Sequence, residues 1–160
     1  MATQYGSRAM SDQRLNFRKS QRLSGAGVFK KIIDSRARFD AGVIGVHAAP
    51  SSAVRTRIGI SIGRRVGSAA VRNRMKRLLR ESFRLMQREF PKDAPAPYDL
   101  VIVVRPHAPL ELAQYQAHLQ NAIATLHALW QKRANRKNTV HAPVHTPPNA
   151  VRPTTDSAEA

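Results

Sequence analysis

The 160-residue chain has no cysteine, only ten acidic residues and no apolar run of bilayer length. Without cysteine there can be no disulfide, no thiolate-held metal and no cysteine nucleophile. A membrane-spanning helix needs about 20 consecutive apolar residues, and residues 1–20 lack the apolar stretch of a secretion signal. The ten acids face 27 Lys and Arg, a formal net charge of +17. So large an excess of one sign concerns partners rather than fold. The partners it suits are a nucleic acid or an anionic membrane. An acidic small molecule is a poor match, because one phosphate does not need such a charge. The expectation is a soluble, cytoplasmic, polyanion-binding protein.

The chain divides by composition. Residues 1–20 mix Ser, Gln, Arg and Gly with few apolar anchors and read as a flexible basic arm. From residue 135 onward apolar periodicity is lost, and Pro143, Pro147, Pro148 and Pro153 interrupt any regular element, as in a disordered tail. The folded part is then 21–134. Within it, Ser24 is placed to cap a short helix to Asp34, and Phe39–Ala49 reads as one strand. Arg57–Ile62 alternates with period two, the pattern of a half-buried strand. Ser68 is placed to cap a long helix running from Ala69 to Phe90. Tyr98–Arg105 carries the run Leu-Val-Ile-Val-Val, which suits a central strand buried on both faces. A last helix, 110–133, has its apolar stripe at Leu112, Tyr115, Leu119, Ile123, Leu126 and Trp130. This order predicts an α/β sandwich, a small mixed sheet carrying helices, in which the second strand, long helix and third strand can form a parallel crossover.

The charge is concentrated. Residues 64–88 hold nine basic side chains and one acid, Glu81. On a helical wheel, Val71, Met75, Leu78, Leu79, Ser82, Leu85 and Met86 share one side. Arg72, Asn73, Lys76, Arg77, Arg80, Arg84 and Arg88 occupy the other, with Arg74 and Phe83 at the margins. A merely solvated face normally mixes acids with bases, because like charges at i, i+4 repel by a few tenths of a kcal/mol. Arg72, Lys76, Arg80 and Arg84 stand in that register, and phosphate is the compensating charge that fits. Guanidinium forks grip phosphate oxygens in pairs and stack on bases. Asn73 adds an amide able to read a base edge or a ribose hydroxyl. No aromatic flanks the charges as a membrane anchor, so RNA is favoured over a lipid surface.

Catalytic groups are not in evidence. No two of the acids in the folded part fall at i, i+3 or i, i+4 on an expected element. A Mg²⁺-dependent protein nuclease needs clustered carboxylates. His118 and His127 lie off the last helix's stripe, where solvent is expected, and His141 and His145 sit in the tail. No phosphate-binding glycine loop or nucleophile elbow is present.

The segment from Arg57 to Arg84 closely resembles the bacterial ribonuclease P protein family. The resemblance rests on Arg72-Asn73-Arg74, followed by Lys76-Arg77 and Arg80-Glu81, and on Arg64-Arg65-Val66-Gly67 before them. Arg22-Leu23 with Phe29, and the strand Asp99–Arg105, agree with it, so it covers 21–134. The resemblance implies a two-layer sandwich similar to the second domain of a ribosomal small-subunit protein, with a left-handed β-α-β crossover. It implies a protein without its own active site that joins a catalytic RNA and removes the 5′ leader of precursor tRNA, the Mg²⁺ being held mainly by the RNA. By position, Arg72, Asn73 and Lys76 fall where the family touches leader and catalytic RNA, and Arg64, Arg65, Arg74, Arg77, Arg80 and Arg84 extend that surface. Phe29, Ile33 and His47 would line the leader cleft. Core packing for Phe29 and Ile33, and a solvated strand position for His47, are the plainer readings of the same residues. A structural ribosomal or assembly protein and a self-sufficient basic nuclease are the competing functions; co-purifying RNA and activity without an RNA subunit would separate them.

Overall fold

The computed structural model describes residues 15–140. They form α1 (Ala26–Asp34), β1 (Arg38–Ala41), β2 (Ile44–Pro50), β3 (Arg57–Ile62), α2 (Ala69–Met86), β4 (Tyr98–Val104) and α3 (Leu112–Val140). The sheet order is β1-β2-β4-β3; β4 is antiparallel to β2 and parallel to β3, to which α2 connects it. The apolar run of β4 is therefore central, as its composition predicts. Leu100, Ile102 and Val104 point into the main core with Met75, Leu79, Phe83, Tyr115 and Leu119 from α2 and α3. Val101 points the other way, into a smaller cluster with Leu23 and Ile32 beneath α1. The body is thus a sheet under α2 and α3, with α1 as a short cover on the outer face.

The expected single strand 39–49 is a hairpin. Ala41 pairs with Ile44, and Gly42 at φ 59 makes the reversal. One apolar alternation ran across the turn and hid it, since Gly42 alone marked the break. The cap of α1 also moves: Gly25, at φ 100, takes the N-cap position that Ser24 was expected to hold. Ser68 does cap α2, accepting a hydrogen bond from the Val71 amide at 3.4 Å. Phe83, marginal on the wheel, is fully buried. It is flanked by Phe17 and Phe90 at ring-centroid distances of 5.6 and 5.0 Å.

The folded part extends beyond 21–134 at both ends. Phe17 packs on Phe83, and α3 runs to Val140. Apolar spacing ends near 134, but neither glycine nor proline follows before 141 and Arg136 and Lys137 favour helix, so the helix outlasts that spacing. The remainder of the expected arm and tail, 1–14 and 141–160, lies outside the described residues.

α3 also fixes α1 across the end of the sheet. Trp130 Nε1 donates to the Ala48 carbonyl at 3.0 Å. The Arg133 guanidinium lies 4.8 Å from the Trp130 ring centroid and donates to the carbonyls of Ser35 and Arg36 at 3.0 and 3.1 Å. These two are the residues that end α1.

Phe83→Ala should remove about 3–5 kcal/mol of stability by emptying the space between two other rings. Denaturant unfolding measures it, and Phe83→Leu should cost clearly less.

Candidate nucleic-acid interface

The basic surface is built around the start of α2. A single 3₁₀ turn, Arg64–Val66, precedes the helix; Val66 is buried and holds the turn, leaving Arg64 and Arg65 exposed. Asn73, Arg74 and Arg77 are exposed as well. The first turn of α2 has no acid, so its free backbone amides and positive dipole end add to the attraction for anions.

One turn further along, α2 meets the outer face of the sheet. Lys76 and Arg80 line a pocket of about 230 Å³ with Phe17, Arg22, Phe29 and Gly59. Phe29 comes from α1, and its ring lies directly on Gly59: a Cβ there would sit 2.5 Å from Phe29 Cζ. The glycine breaks the alternation Ile-Gly-Ile-Ser-Ile, and an isolated strand glycine signals such a close approach. The strand edge is closed by Arg22 and Leu23, whose amide (Leu23) donates to the Ile58 carbonyl at 2.8 Å. Arg22 also lies 5.2 Å from the Phe17 ring centroid. The site therefore joins aromatic surface to cations from two separate elements. Phe17 and Arg22 are additions to the expected set, and Phe17 had been assigned to the arm.

The other expected residues fall around this pocket rather than in it. Ile33 is 42% exposed. His47 lies on the outer face in one cross-strand row with Arg38, Val101 and Gly59, two strands and thus roughly 10 Å from the glycine. It is not solvated: it is 8% exposed, and its Nδ1 has no hydrogen-bond partner. Burial pushes the imidazole below its ordinary value; the Arg38 charge acts the same way and Asp40 opposes both. Arg38 and Arg105 both reach Asp40 Oδ1, at 2.8 and 2.7 Å. Arg72 is half-buried, with its Nε unpartnered.

Arg84 departs from the expected RNA-facing row. Its guanidinium pairs with Glu81 and donates to the Leu15 carbonyl at 2.7 Å. The fourth like charge of that row is compensated inside the protein and ties the chain near residue 15 to α2. Phosphate is needed to compensate only Arg72, Lys76 and Arg80.

Among the described residues no three His, Asp or Glu side chains converge as metal ligands. Tyr98, His127 and Asp93 form an acid–base chain. Tyr98 shares a 2.7 Å hydrogen bond with His127 Nδ1, and His127 Nε2 lies 3.2 Å from Asp93. His127 is therefore held between partners instead of solvated. Burial pushes the Tyr98 hydroxyl up to about 12, so it remains protonated; Asp93, reached by His127 and by Gln131 at 2.7 Å, pins the 91–97 loop to α3. His118 packs over the hairpin turn, its Cε1 3.0 Å from where a Gly42 Cβ would stand.

Residues 17–127 match the family model described as Ribonuclease P. The chain is 32% identical over 108 residues to the ribonuclease P protein component of Roseiflexus castenholzii, covering 66% of this chain and 85% of that one. Over 55 residues it is 49% identical to that of Desulfovibrio desulfuricans, covering 34% and 39%. Among solved structures, the RNase P protein of Staphylococcus aureus is similar at a TM-score of 0.58 and 21% identity, covering 70% of this chain and 99% of that one. The protein from Thermotoga maritima is similar at 0.57 and 24%, covering 65% and 96%. At these identities the structures speak for the fold.

Gly59→Ala should cost about 1–3 kcal/mol by displacing the Phe29 ring. In a Phe29→Ala background most of that cost should vanish, which a double-mutant cycle of unfolding free energies measures. His47 should titrate below 6.5. The unfolded chain then takes up the proton first, so this residue's contribution is complete above its ordinary value and is lost as pH falls below it. Unfolding from pH 7.5 down to about 5 should show a shallower decline for His47→Asn than for the wild type.

Proposed function

The chain belongs to the bacterial ribonuclease P protein family, and from that premise we propose how its surface divides the family's work. Proteins of this family act as ribonuclease P together with an RNA subunit, binding RNA and precursor tRNA. In our reading Arg64, Arg65, Arg72, Asn73, Arg74 and Arg77 seat the chain on the catalytic RNA near the cleavage region. The pocket of Phe29, Lys76 and Arg80 holds the 5′ leader. A single-stranded segment needs cations for its phosphates and a flat ring for its bases, and the carrying observation is that this pocket supplies both. Ile33 on α1 and the buried His47 on the outer sheet face flank this pocket without lining it.

Family members cut a phosphodiester with water in the presence of Mg²⁺. The described residues of this chain provide no ligand cluster for the ion, so we assign it to the RNA subunit and route no step through the protein. The protein's part is to bind, orient and neutralise charge. Among the described residues no helix is long and apolar enough to cross a membrane, and we place the work in the cytoplasm, with precursor tRNA.

Reconstitution tests this. The protein alone should leave precursor tRNA intact, and adding the RNA subunit should give mature 5′ ends at low Mg²⁺; mature ends without RNA would overturn the reading. If about six phosphates are neutralised, log K for the RNA subunit should fall with log salt at a slope of roughly −4 to −5. Lys76→Ala should weaken precursor binding in the holoenzyme by about 1 kcal/mol. The loss should be absent for tRNA lacking a leader, measured by equilibrium binding.

A further inference from the structure

From Gly59, β3 leads back to Arg57, and at Thr56 and Arg55, just before the strand, a second depression opens. It has a volume of about 300 Å³, with Arg55 and Lys92 as its cations and Val54, Phe90 and Pro97 as apolar wall. An adjoining hollow of about 430 Å³ shares Val54 and Arg55 and adds Arg18. No acid lines either space. Arg18, Arg55 and Lys92 form no ion pair among the described residues. Val54 is 96% exposed, the most exposed of the large apolar side chains described. A surface valine between unpaired cations has no role in the core and none in the site already described.

We propose that this depression is a distal subsite for the leader, taking single-stranded nucleotides upstream of those in the Phe29 pocket. The inference rests on the reading of that pocket given above. Its strongest support is continuity. Phe17 and Arg22 line the first pocket, while from the same short segment Gln21 lines the second and Arg18 the hollow adjoining it. One rim therefore runs along both, held to β3 through the bridge between Arg22 and Ile58. Gly59 and Arg55 are four residues apart, at most about 14 Å even for fully extended chain. A stacked single strand covers that distance in about four nucleotides at roughly 3.4 Å each. Phosphates would meet Arg18, Arg55 and Lys92, and bases would lie against Val54 and Pro97. The same depression is about 22 Å along α2 from Arg72, measured to Gln87 at its lip. It is therefore separate from the surface assigned to the catalytic RNA.

The test uses the full chain reconstituted with its RNA subunit. Precursor tRNAs carry no leader, a short leader ending in the first pocket, or one longer by about five nucleotides. The wild type should bind the longer leader more tightly than the short one. The double variant Arg55→Glu, Lys92→Glu should lose that gain, roughly three- to tenfold for two phosphate contacts, with short-leader affinity unchanged. Equal weakening for both lengths would overturn the proposal in favour of a contact with the RNA subunit, and so would no weakening at all. If the double variant melts early, Arg55→Gln and Lys92→Gln separately should each remove part of the length-dependent gain. A wild type that cannot tell leadered from leaderless tRNA would defeat the first-pocket reading itself. One that can, yet gains nothing from added length, would defeat the distal subsite alone.

Discussion

Strand β4 carries apolar side chains in both directions, so neither of its faces can be left to water. Leu100 and Ile102 are covered by α2 and α3, and Val101 by α1. Fully burying each such side chain is worth about 1.5–3 kcal/mol. The demand for cover on the outer face explains why a nine-residue helix with a glycine inside it and another as its cap keeps its place. It also brings a ring from α1 down onto β3, where only glycine leaves room for it. The candidate binding pocket is the gap that remains beside that contact, on the flank where α2 passes the strand edge. Packing of the centre and shape of the site thus have one cause.

The basic residues are sorted by the same geometry. Those pointing along the α2 flank or near its start meet solvent, while Arg57 is bound to Asp99 at 2.7 and 2.6 Å and Arg84 to Glu81. The paired arginines tie elements together. The unpaired ones raise the potential of one surface, at a cost in mutual repulsion that a bound polyanion removes. Stability and binding are therefore opposed on this face, and in the proposed reading RNA settles the conflict.

How much of this was legible in the sequence depends on range. The central strand, the amphipathic α2 with its Ser68 cap and the stripe of α3 were readable, because each is a local pattern of apolar spacing. The 38–50 hairpin was not, since alternation continued through Gly42. Phe17 was missed because only Leu15 beside it is apolar and the two make no periodic pattern; its partner, Phe83, is 66 residues away. The partners of Arg84 were not legible, because wheels show faces and not the Leu15 carbonyl that the fold delivers. His127 looked solvated on its helix and acquired Tyr98 from the start of β4 and Asp93 from the 91–97 loop only in the fold. The basic character of the site was thus visible in sequence, while its pocket, made by Phe29 on Gly59 beside Lys76, required the fold.

The central claim is that a single RNA strand occupies that pocket. Photocrosslinking tests it most directly, using precursor tRNA with a reactive uridine in its leader bound to the reconstituted holoenzyme, followed by peptide mapping of the adducts. The account predicts adducts on the peptides carrying Phe29 and Lys76. Adducts confined to the hairpin peptide with Arg38 and Asp40, and none on those two, would contradict it.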